Sequence, residues 1–458
     1  MRRLTAAVTT ILASVCMLPA AQDPTIVTNP PESFEMRVVA RGLDGPWELA
    51  WGPDQQLWVT ERRGRRIVRV NPADGSRTTL VSIPEAHQSV GQDGLLGMAL
   101  HPDLLRGSGT DYVFVAFTYD DAPGPELVRK MAIRRYQLDQ RARALTGPTD
   151  VMTGLPAHDD HLGGRLIIGA DRKLYLSIGD QGSNFGSNRC NANHAQDLPT
   201  SAQVRAKDWS SYQGKILRVE LDGAIPADNP EIDGVRSHVF SYGHRNPLGL
   251  VSGGGLIYET EHGPNTDDEI NLIEAGRNYG WPNVAGYRDD KSYTYVNWST
   301  STPRPCSALP PAGAVPPSVL TQSETAWNHS RFAPPLRTFF TVENGFDTSA
   351  IGSGTIAPGG IDLYTSDRVP GWRNSLLALS LIRGVVYRLR LAADGRSISA
   401  PPAEMFRTAN RYRDIALNPD GRTIYMATDV DGPSRDASGA PRSLSNPGSI
   451  LEFTYMGK

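Results

Sequence analysis

The chain has 458 residues, with 46 Lys and Arg against 49 Asp and Glu and a net charge of -3. This length provides a sizeable core and excludes the small folds that depend on disulfides or metals for stability. The charge balance excludes an electrostatic case for nucleic-acid binding, which requires a basic face. With 45 Gly, 35 Pro and 16 Tyr, the composition favours a turn-rich β protein over a helix bundle.

A secretory signal peptide is predicted for residues 1–21. The basic pair Arg2 and Arg3 precedes an apolar stretch and small residues that end at Ala21. That stretch is too short and too weakly apolar for a membrane span, and no other segment is predicted to span a membrane. The mature chain, 22–458, is therefore predicted to be periplasmic or secreted.

The cysteines leave several alternatives open. A lipid-modified Cys16 is a less favoured alternative to cleavage of the signal peptide. In the mature chain, Cys190 and Cys306 could pair, stay free or bind a metal, and their wide separation lacks zinc-site spacing.

A weak internal repeat runs along the mature chain. Each copy has an apolar residue, a turn of Pro, Asp or Gly, and then an alternating apolar strand, which predicts a hairpin. In the three clearest copies an acid ends the strand. The clearest copies are 51–61, 168–180 and 417–429, and the looser ones are 100–117, 251–261 and 372–391. The pattern predicts an all-β fold, a β-propeller whose long loops build a site at one end of the channel.

Helical periodicity is scarce elsewhere in the sequence. Residues 267–276 are predicted to form a short helix that starts near Asp267 or Asp268. Residues 301–330 are rich in proline and predict an irregular excursion. One domain, 22–458, is favoured, and two β domains divided near position 300 are the alternative.

The segment AHDDHLGGRL (157–166) contains a candidate general base, His161. Imidazole titrates near neutral pH without a large perturbation, and the adjacent Asp160 could orient a substrate hydroxyl. Alternatives are a solvated polar loop and a transition-metal site through His158 and His161, although the usual ligand spacing is absent.

The segment GHRNPLGL places Arg245 and Asn246 before a proline, which predicts an extended or turn conformation. A guanidinium can stabilise a developing oxyanion, so Arg245 is a candidate electrophile. A surface ion pair is the alternative for this residue.

The segment EHGPNTDDEIN is rich in oxygen but lacks the spacing of an EF-hand. Calcium accepts backbone carbonyls, so Gly263 and Pro264 are candidate ligands through their C=O groups. A solvated acidic turn is the alternative.

The segment NRYRD places Arg411 and Arg413 on one face of a strand. Two such guanidiniums repel each other unless they bind an anion, for example a carboxylated ligand.

Together these motifs resemble the soluble PQQ-dependent glucose dehydrogenases of the glucose/sorbosone dehydrogenase family. The resemblance covers nearly the whole mature chain, and the residues that carry it are GQDGLLGMALHPD, DHLGGRL, YLSIGDQG, GKILRVELDGAIPADNP, GHRNPLGL, EHGPNTDDEINLIEAGRNYGWPNVAGY and NRYRDIALNPDG. It implies a six-bladed propeller with PQQ and calcium at one end of the channel, in a homodimer. It also implies an aldose substrate and an external electron acceptor.

The resemblance implies specific roles for these residues. His161 would take the proton of the anomeric hydroxyl, while Gln92, Asp160 and Arg245 would hold the sugar. Arg245 would also stabilise charge on the reduced quinone. The resemblance assigns PQQ binding to Asn246, Arg411 and Arg413, the catalytic calcium to Gly263 and Pro264, one structural calcium to Glu269 and Tyr279, and another to Ala285, Tyr287, Asp289 and Glu324.

Several residues depart from the family pattern. Ile382 stands where the glucose enzyme has a PQQ-contacting Lys, so that cationic contact is lost unless Arg383 replaces it. Ala350 and Ser353 stand where aromatic residues line the cofactor and the sugar, and a Leu of the sugar pocket falls near Phe185. The local Cys pair expected there is also missing.

The residue chemistry is consistent with oxidation of a sugar, because a hydride leaves carbon only as the hydroxyl loses its proton to a base. Two alternatives are kept. One is a calcium-dependent sugar-lactone hydrolase, which would need no quinone. The other is a non-catalytic relative that binds carbohydrate or protein through its loops.

Overall fold

Short antiparallel strands make up most of the fold. The computed structural model describes residues 22–122, 124–309, 315–348 and 352–457. In chain order the strands are β1 (Ser33–Ala40), β2 (Pro46–Trp51), β3 (Leu57–Glu61), β4 (Arg66–Val70), β5 (Arg77–Ser82), β6 (Leu95–Leu100), β7 (Tyr112–Asp120), β8 (Arg129–Asp139), β9 (Ala144–Pro156), β10 (Gly163–Ile168), β11 (Leu174–Ile178), β12 (Lys215–Val219), β13 (Glu231–Ile232), β14 (Val235–Arg236), β15 (Val239–Tyr242), β16 (Pro247–Gly253), β17 (Leu256–Glu261), β18 (Asp268–Ile273), β19 (Tyr295–Asn297), β20 (Leu320–Gln322), β21 (Arg337–Phe339), β22 (Pro358–Tyr364), β23 (Ser375–Ser380), β24 (Val386–Arg390), β25 (Ala403–Met405), β26 (Tyr412–Leu417), β27 (Thr423–Thr428) and β28 (Ile450–Gly457). The predicted signal peptide and Ala350 lie outside the described residues.

The strands form six four-stranded sheets, each a blade of a propeller. The strand orders are β2-β3-β4-β5, β6-β7-β8-β9, β10-β11-β12-β15, β16-β17-β18-β21, β22-β23-β24-β25 and β1-β28-β27-β26. In the last blade the N-terminal strand pairs with the C-terminal one, with Met36 opposite Phe453, and this pairing joins the two ends of the chain. The predicted six-bladed propeller is confirmed.

The six sequence repeats correspond to one element of each blade. Five copies contain the turn between a blade's first and second strands and all or part of the second strand, namely β3, β7, β11, β17 and β27. The copy at 372–391 begins near the end of that connection and contains β23 and β24. Every residue of β3, β11 and β23 is buried, because each blade packs between two neighbouring blades. The apolar alternation in the repeat therefore identified the strands buried most deeply.

The first strands of the blades contact one another around the central axis. There a buried Arg165 on β10 contacts Glu48 on β2 at 2.6 Å and Asp414 on β26 at 2.9 Å. Its Nε also donates to the carbonyl of Leu248 at 2.9 Å. This ion cluster fills part of the channel and links several blades.

The short helix predicted over 267–276 is wrong, because Asp268–Ile273 forms β18 between β17 and β21. Asp267 and Asp268, the acids that suggested a helix start, are instead buried and accept hydrogen bonds from Thr341 and Gly263. Tertiary pairing of an apolar Ile-Asn-Leu-Ile run outweighed the local capping signal.

Helices are short and few in the described part of the chain. One α-helix, α1 (Ser201–Ala206), starts at a Thr200 capping box. The 3-10 helices are Gly186–Asn188, Ser210–Tyr212, Trp298–Thr300, Cys306–Ala308 and Glu324–Ala326. Among the described residues, no helix is long and apolar enough to cross a membrane.

A long excursion separates β18 from β21 in the fourth blade. It contains the small β19–β20 sheet and the proline-rich segment. Cys190 and Cys306 form a disulfide with their Cα atoms 5.6 Å apart, which ties the excursion to the loop that follows β11. Of the alternatives left open by the sequence, pairing is the one found.

Candidate active site

Acidic residues lie at or just after the ends of several second strands. Because these strands occupy the same position in successive blades, their ends lie at the same end of the channel. These acids are Glu61, Asp180, Glu261 and Asp429. Glu61, Asp180 and Glu261 are buried and Asp429 is half-buried, and the partners of these acids define the site.

Asp180 orients the predicted base, His161. Nδ1 of His161 lies 2.8 Å from Oδ1 of Asp180, whose side chain has 0% exposure. The other carboxylate oxygen accepts from Trp281 Nε1 at 2.7 Å and from Asn193 Nδ2 at 2.9 Å. A carboxylate on Nδ1 fixes the proton there, so Nε2 is left to accept a proton.

The predicted sugar-holding residues lie next to this base. Oδ1 of Asp160 is 3.9 Å from Nε2 of His161 and accepts from Nε2 of Gln92 at 2.8 Å. The ring of Phe185 stacks on the imidazole with a centroid separation of 6.3 Å and is 37% exposed. The structure thus places a base, a carboxylate, an amide and an exposed aromatic ring together.

Arg245 lies between two aromatic rings, with its guanidinium carbon 5.0 Å from the centre of Phe185 and 5.3 Å from that of Trp281. Nη1 donates to the carbonyl of His262 at 3.0 Å, and the backbone N–H donates to the Glu261 carboxylate. Nε is buried with no hydrogen-bond partner among the described residues. The guanidinium is therefore held in place with donor capacity left for a ligand.

Asn246, the residue after Arg245, is almost fully buried. Its side-chain oxygen accepts from the backbone N–H of Gly163 at 3.2 Å, which ties it to the loop that carries the base.

Arg411 and Arg413 share one carboxylate, that of Asp429. Arg413 contacts it through Nε at 2.7 Å and Nη2 at 2.8 Å, and Arg411 through Nε at 3.2 Å. Burial alone would raise the pKa of Asp429, but the charges of Arg413 and Arg411 outweigh burial and lower it. Both arginines therefore lie on the same side of the strand, as predicted. Because Asp429 carries one negative charge, it neutralises only one of the two guanidiniums.

A cavity of about 520 Å³ opens beside this pair. It is lined by Gly45, Pro46, Trp47, Arg62, Arg63, Val90, Gly91, Gln92, His158, Asp159, Asp160, Ser187, Asn188, Arg411, Arg413, Asp429, Val430, Asp431 and Gly432. Burial and the charge of Arg413 lower the pKa of Arg62 to about 10. The cavity is therefore lined both by guanidinium groups and by the sugar-holding candidates Gln92 and Asp160.

The turn at Gly263 and Pro264 is fixed by Asp268. The carboxylate of Asp268 accepts from Gly263 N at 2.9 Å, and also from Ile356 N at 2.7 Å. A Cβ at Gly263 would lie 1.8 Å from the carbonyl oxygen of Thr266, so this close approach requires glycine. No described residue donates to the carbonyl of Gly263 or Pro264, and two free carbonyls suit a calcium ion.

The pair Glu269 and Tyr279 is not joined by any hydrogen bond in the described chain. Glu269 accepts from Gly286 N at 2.7 Å and Asn271 Nδ2 at 2.8 Å. The Tyr279 hydroxyl donates to the carbonyl of Leu272 at 2.5 Å, so only its carbonyl is left for a cation.

The second predicted structural calcium set lies around Glu324. Its carboxylate accepts from Ala285 N at 2.9 Å and Asp290 N at 3.0 Å. Burial, with added repulsion from Asp267 and Asp289, raises the pKa of Glu324 to about 8. A buried acid that neighbouring carboxylates repel in this way fits a site for a cation, although Asp289 itself is exposed. Tyr287 lies in the same loop and is half-buried.

Three of the residues at or beside the departures from the family pattern, Ile382, Arg383 and Ser353, can be placed in the structure. Ile382 is buried. Arg383 lies over Phe340 at 4.4 Å, and its Nε donates to the Thr355 carbonyl at 3.1 Å. Arg383 is not among the residues that line the cavity, so its predicted contact with PQQ stays a prediction. Ser353 is also buried and donates to the carbonyl of Asp347 at 3.1 Å.

Comparison with known proteins agrees with this arrangement. The family model "Glucose / Sorbosone dehydrogenase" matches residues 43–338 and 333–435.

The chain belongs to the glucose/sorbosone dehydrogenase family.

Relatives of this family member span nearly its whole length. Quinoprotein glucose dehydrogenase B of Acinetobacter calcoaceticus is 40% identical over 93% of this chain and 92% of its own. The aldose sugar dehydrogenase YliI of Escherichia coli is 25% identical over 87% and 91% of the two chains. The PQQ-bound aldose sugar dehydrogenase from Streptomyces coelicolor has a TM-score of 0.64 and 26% identity, covering 93% of this chain and all of that one.

Sequence reasoning missed several residues of this family member's site. Asp180, Asp429 and Glu261 each end a copy of the repeat, and this recurring terminal acid was the signal that could have identified them. Trp281 and Arg62 carried no such signal. Their role depends on which loops meet at the end of the channel.

Proposed function

We propose that the protein is a PQQ- and calcium-dependent aldose dehydrogenase. It oxidises the anomeric carbon of an aldose to the lactone and passes the electrons to an external acceptor. Membership of the family supports this proposal, and the observation that carries it is the His161–Asp180 pair at 2.8 Å beside Asp160.

His161 acts as the general base in this proposal. Its Nε2 accepts the proton of the anomeric hydroxyl, while Asp180 keeps the Nδ1 proton in place and stabilises the imidazolium that forms. Gln92 and Asp160 orient the sugar hydroxyls. Since the 3.9 Å from Asp160 to Nε2 exceeds a hydrogen bond, a substrate hydroxyl can approach both groups.

The residues fit the cofactor that the family implies. Arg411, Arg413 and Asn246 bind PQQ, whose carboxylates match the unpaired charge of the arginines. The carbonyls of Gly263 and Pro264 bind the catalytic calcium. When bound, PQQ supplies the hydride acceptor and calcium withdraws electron density from it. Arg245, held between two rings, stabilises negative charge that develops in the reaction.

The remaining features belong to the same proposal. Calcium ions at Glu269 and Tyr279 and at Ala285, Tyr287, Asp289 and Glu324 stabilise the loops. The protein is exported with cleavage of residues 1–21 and forms a homodimer.

Reconstitution tests the proposal. Apoprotein is combined with PQQ and calcium, and reduction of a dye acceptor is followed with a panel of aldoses. We expect dye reduction that requires both additions. His161→Ala should abolish turnover while retaining the spectrum of bound PQQ. No dye reduction with any aldose would overturn the proposal, and hydrolysis of lactones with calcium alone would favour the hydrolase alternative.

A further inference from the structure

A cluster of buried polar groups lies directly behind Arg245, outside the cavity. We propose that His244, Glu259 and Glu261, with the side-chain oxygen of Asn271, form a site for a divalent transition-metal ion. Its ligands differ from those of the calcium sites that the family resemblance implies.

The strands bring these groups together. Glu259 and Glu261 are two residues apart on β17 and therefore lie on the same face. Asn271 is directly opposite Glu259 on β18, and His244 follows β15 in the adjoining blade. A ring nitrogen of His244 and an oxygen of each glutamate all lie within 4.8 Å of one another. Ligands of one ion at about 2.0–2.3 Å span nearly that distance.

Two buried acids of the cluster lack a Lys or Arg partner. Glu259 and Glu261 are 0% and 3% exposed, and no described Lys or Arg side chain forms an ion pair with either of them. The nearby buried Lys215 is occupied, since its Nζ donates to the carbonyls of His194, Ala195 and Gln213. Buried carboxylates are usually paired or bound to a metal.

Two oxygens in the cluster have no partner. Oε1 of Glu259 and Oδ1 of Asn271 are buried, and neither makes a hydrogen bond among the described residues. The Asn271 amide lies between acids, because its Nδ2 donates to Glu259 Oε2 at 2.9 Å and to Glu269 Oε2 at 2.8 Å. An unpartnered buried oxygen is unfavourable, and a cation in the cluster would satisfy both.

The mixture of ligands indicates the kind of metal. Calcium and magnesium take oxygen ligands, whereas an imidazole with two carboxylates suits Zn²⁺ or Mn²⁺. Nε2 of His244 lies 2.9 Å from Ser241 Oγ, which leaves Nδ1, 2.8 Å from Glu261, as the ligand atom.

Such an ion would position Arg245. His244 precedes Arg245, and Glu261 also accepts the backbone N–H of Arg245. A metal bound to both neighbours would fix the segment from which the guanidinium extends into the site.

Metal content and stability test the proposal without PQQ. The full-length protein and Glu259→Gln are stripped with EDTA, loaded with Zn²⁺ or Mn²⁺ in the presence of calcium, dialysed and measured by mass spectrometry. Glu126→Gln, at an exposed position, is the matched control. We expect wild type and Glu126→Gln to retain one equivalent of Zn²⁺ or Mn²⁺ that Glu259→Gln lacks, with equal calcium in all three.

Thermal unfolding is the second test, because the direction of the change in Tm is expected to differ between metal-loaded and stripped protein. In metal-loaded protein, Glu259→Gln should lower Tm because a ligand is lost. In stripped protein it should leave Tm unchanged or raise it, because the substitution removes a buried carboxyl group that has no cationic partner. Equal Zn²⁺ and Mn²⁺ content in wild type and Glu259→Gln, or a higher Tm for Glu259→Gln in both states, would overturn the proposal. Failure of the loaded wild-type protein to retain Zn²⁺ or Mn²⁺, together with dye reduction with PQQ and calcium, would reject this site and leave the proposed dehydrogenase function intact.

Discussion

Nδ1 of His161 lies 2.8 Å from Oδ1 of Asp180, and this carboxylate is fully buried. Trp281 and Asn193 hold its second oxygen, so the carboxylate cannot rotate away from the imidazole without losing both donors. The orientation of the His161 imidazole, the proposed base, is therefore set by three separate segments of the chain.

Asp180→Asn should reduce kcat by about 1,000- to 10,000-fold, because an amide does not hold the tautomer that leaves Nε2 free. Steady-state dye reduction with PQQ and calcium present measures the effect. Spectral titration should show unchanged PQQ binding in the variant. A kcat close to that of wild type would show that Asp180 does not orient the base.

Arg413→Gln should weaken PQQ binding by about 10- to 100-fold, the effect of losing a charge-assisted hydrogen bond. The variant also leaves Asp429 with Arg411 alone, which removes the excess positive charge beside the cavity. Fluorescence or spectral titration of apoprotein with PQQ gives the Kd. Arg373→Gln, at an exposed arginine, serves as the control, and equal Kd values for both variants would contradict the assignment.

Arg165→Met should lower the free energy of unfolding by about 3–5 kcal/mol, because it leaves Glu48 and Asp414 buried without their cation. Denaturant titration measures this loss. The double change Arg165→Met with Glu48→Gln should recover part of it, since one uncompensated carboxylate is removed. A neutral single variant would mean that the ion cluster does not stabilise the channel.

Lys215 predicts a pH dependence of stability. Burial lowers its pKa to about 7 from the ordinary 10.5. Between these values the unfolded chain binds a proton that the folded chain does not, so this residue makes stability rise with pH from about 7 to 10.5. The free energy of unfolding of Lys215→Met minus that of wild type should therefore fall steadily over this range.

Denaturant titrations at several pH values test that slope. Lys207→Met, at an exposed position, should give a curve parallel to wild type. A parallel curve for Lys215→Met as well would show that Lys215 is protonated in the folded protein throughout.

The sequence repeat predicted the position of strands but not the contacts of the residues that end them. The repeat ending at Glu61, Asp180 and Asp429 indicated the second strand of a blade, because a strand buried on both faces carries its pattern locally. The same reasoning missed the role of the terminal acids. It also predicted a helix at Asp268, where pairing with β17 and β21 decided the outcome.

The sequence by itself determined the β-propeller and the family, and it singled out a candidate base and an arginine pair, since motif spacing and strand alternation are local properties. Only the tertiary structure decided what those residues contact: Asp180 on His161, Asp429 between Arg411 and Arg413, and Cys190 joined to Cys306. These partners are distant in the chain or lie on different loops. Their proximity depends on how strands from successive blades close around one axis, and no short segment encodes that closure.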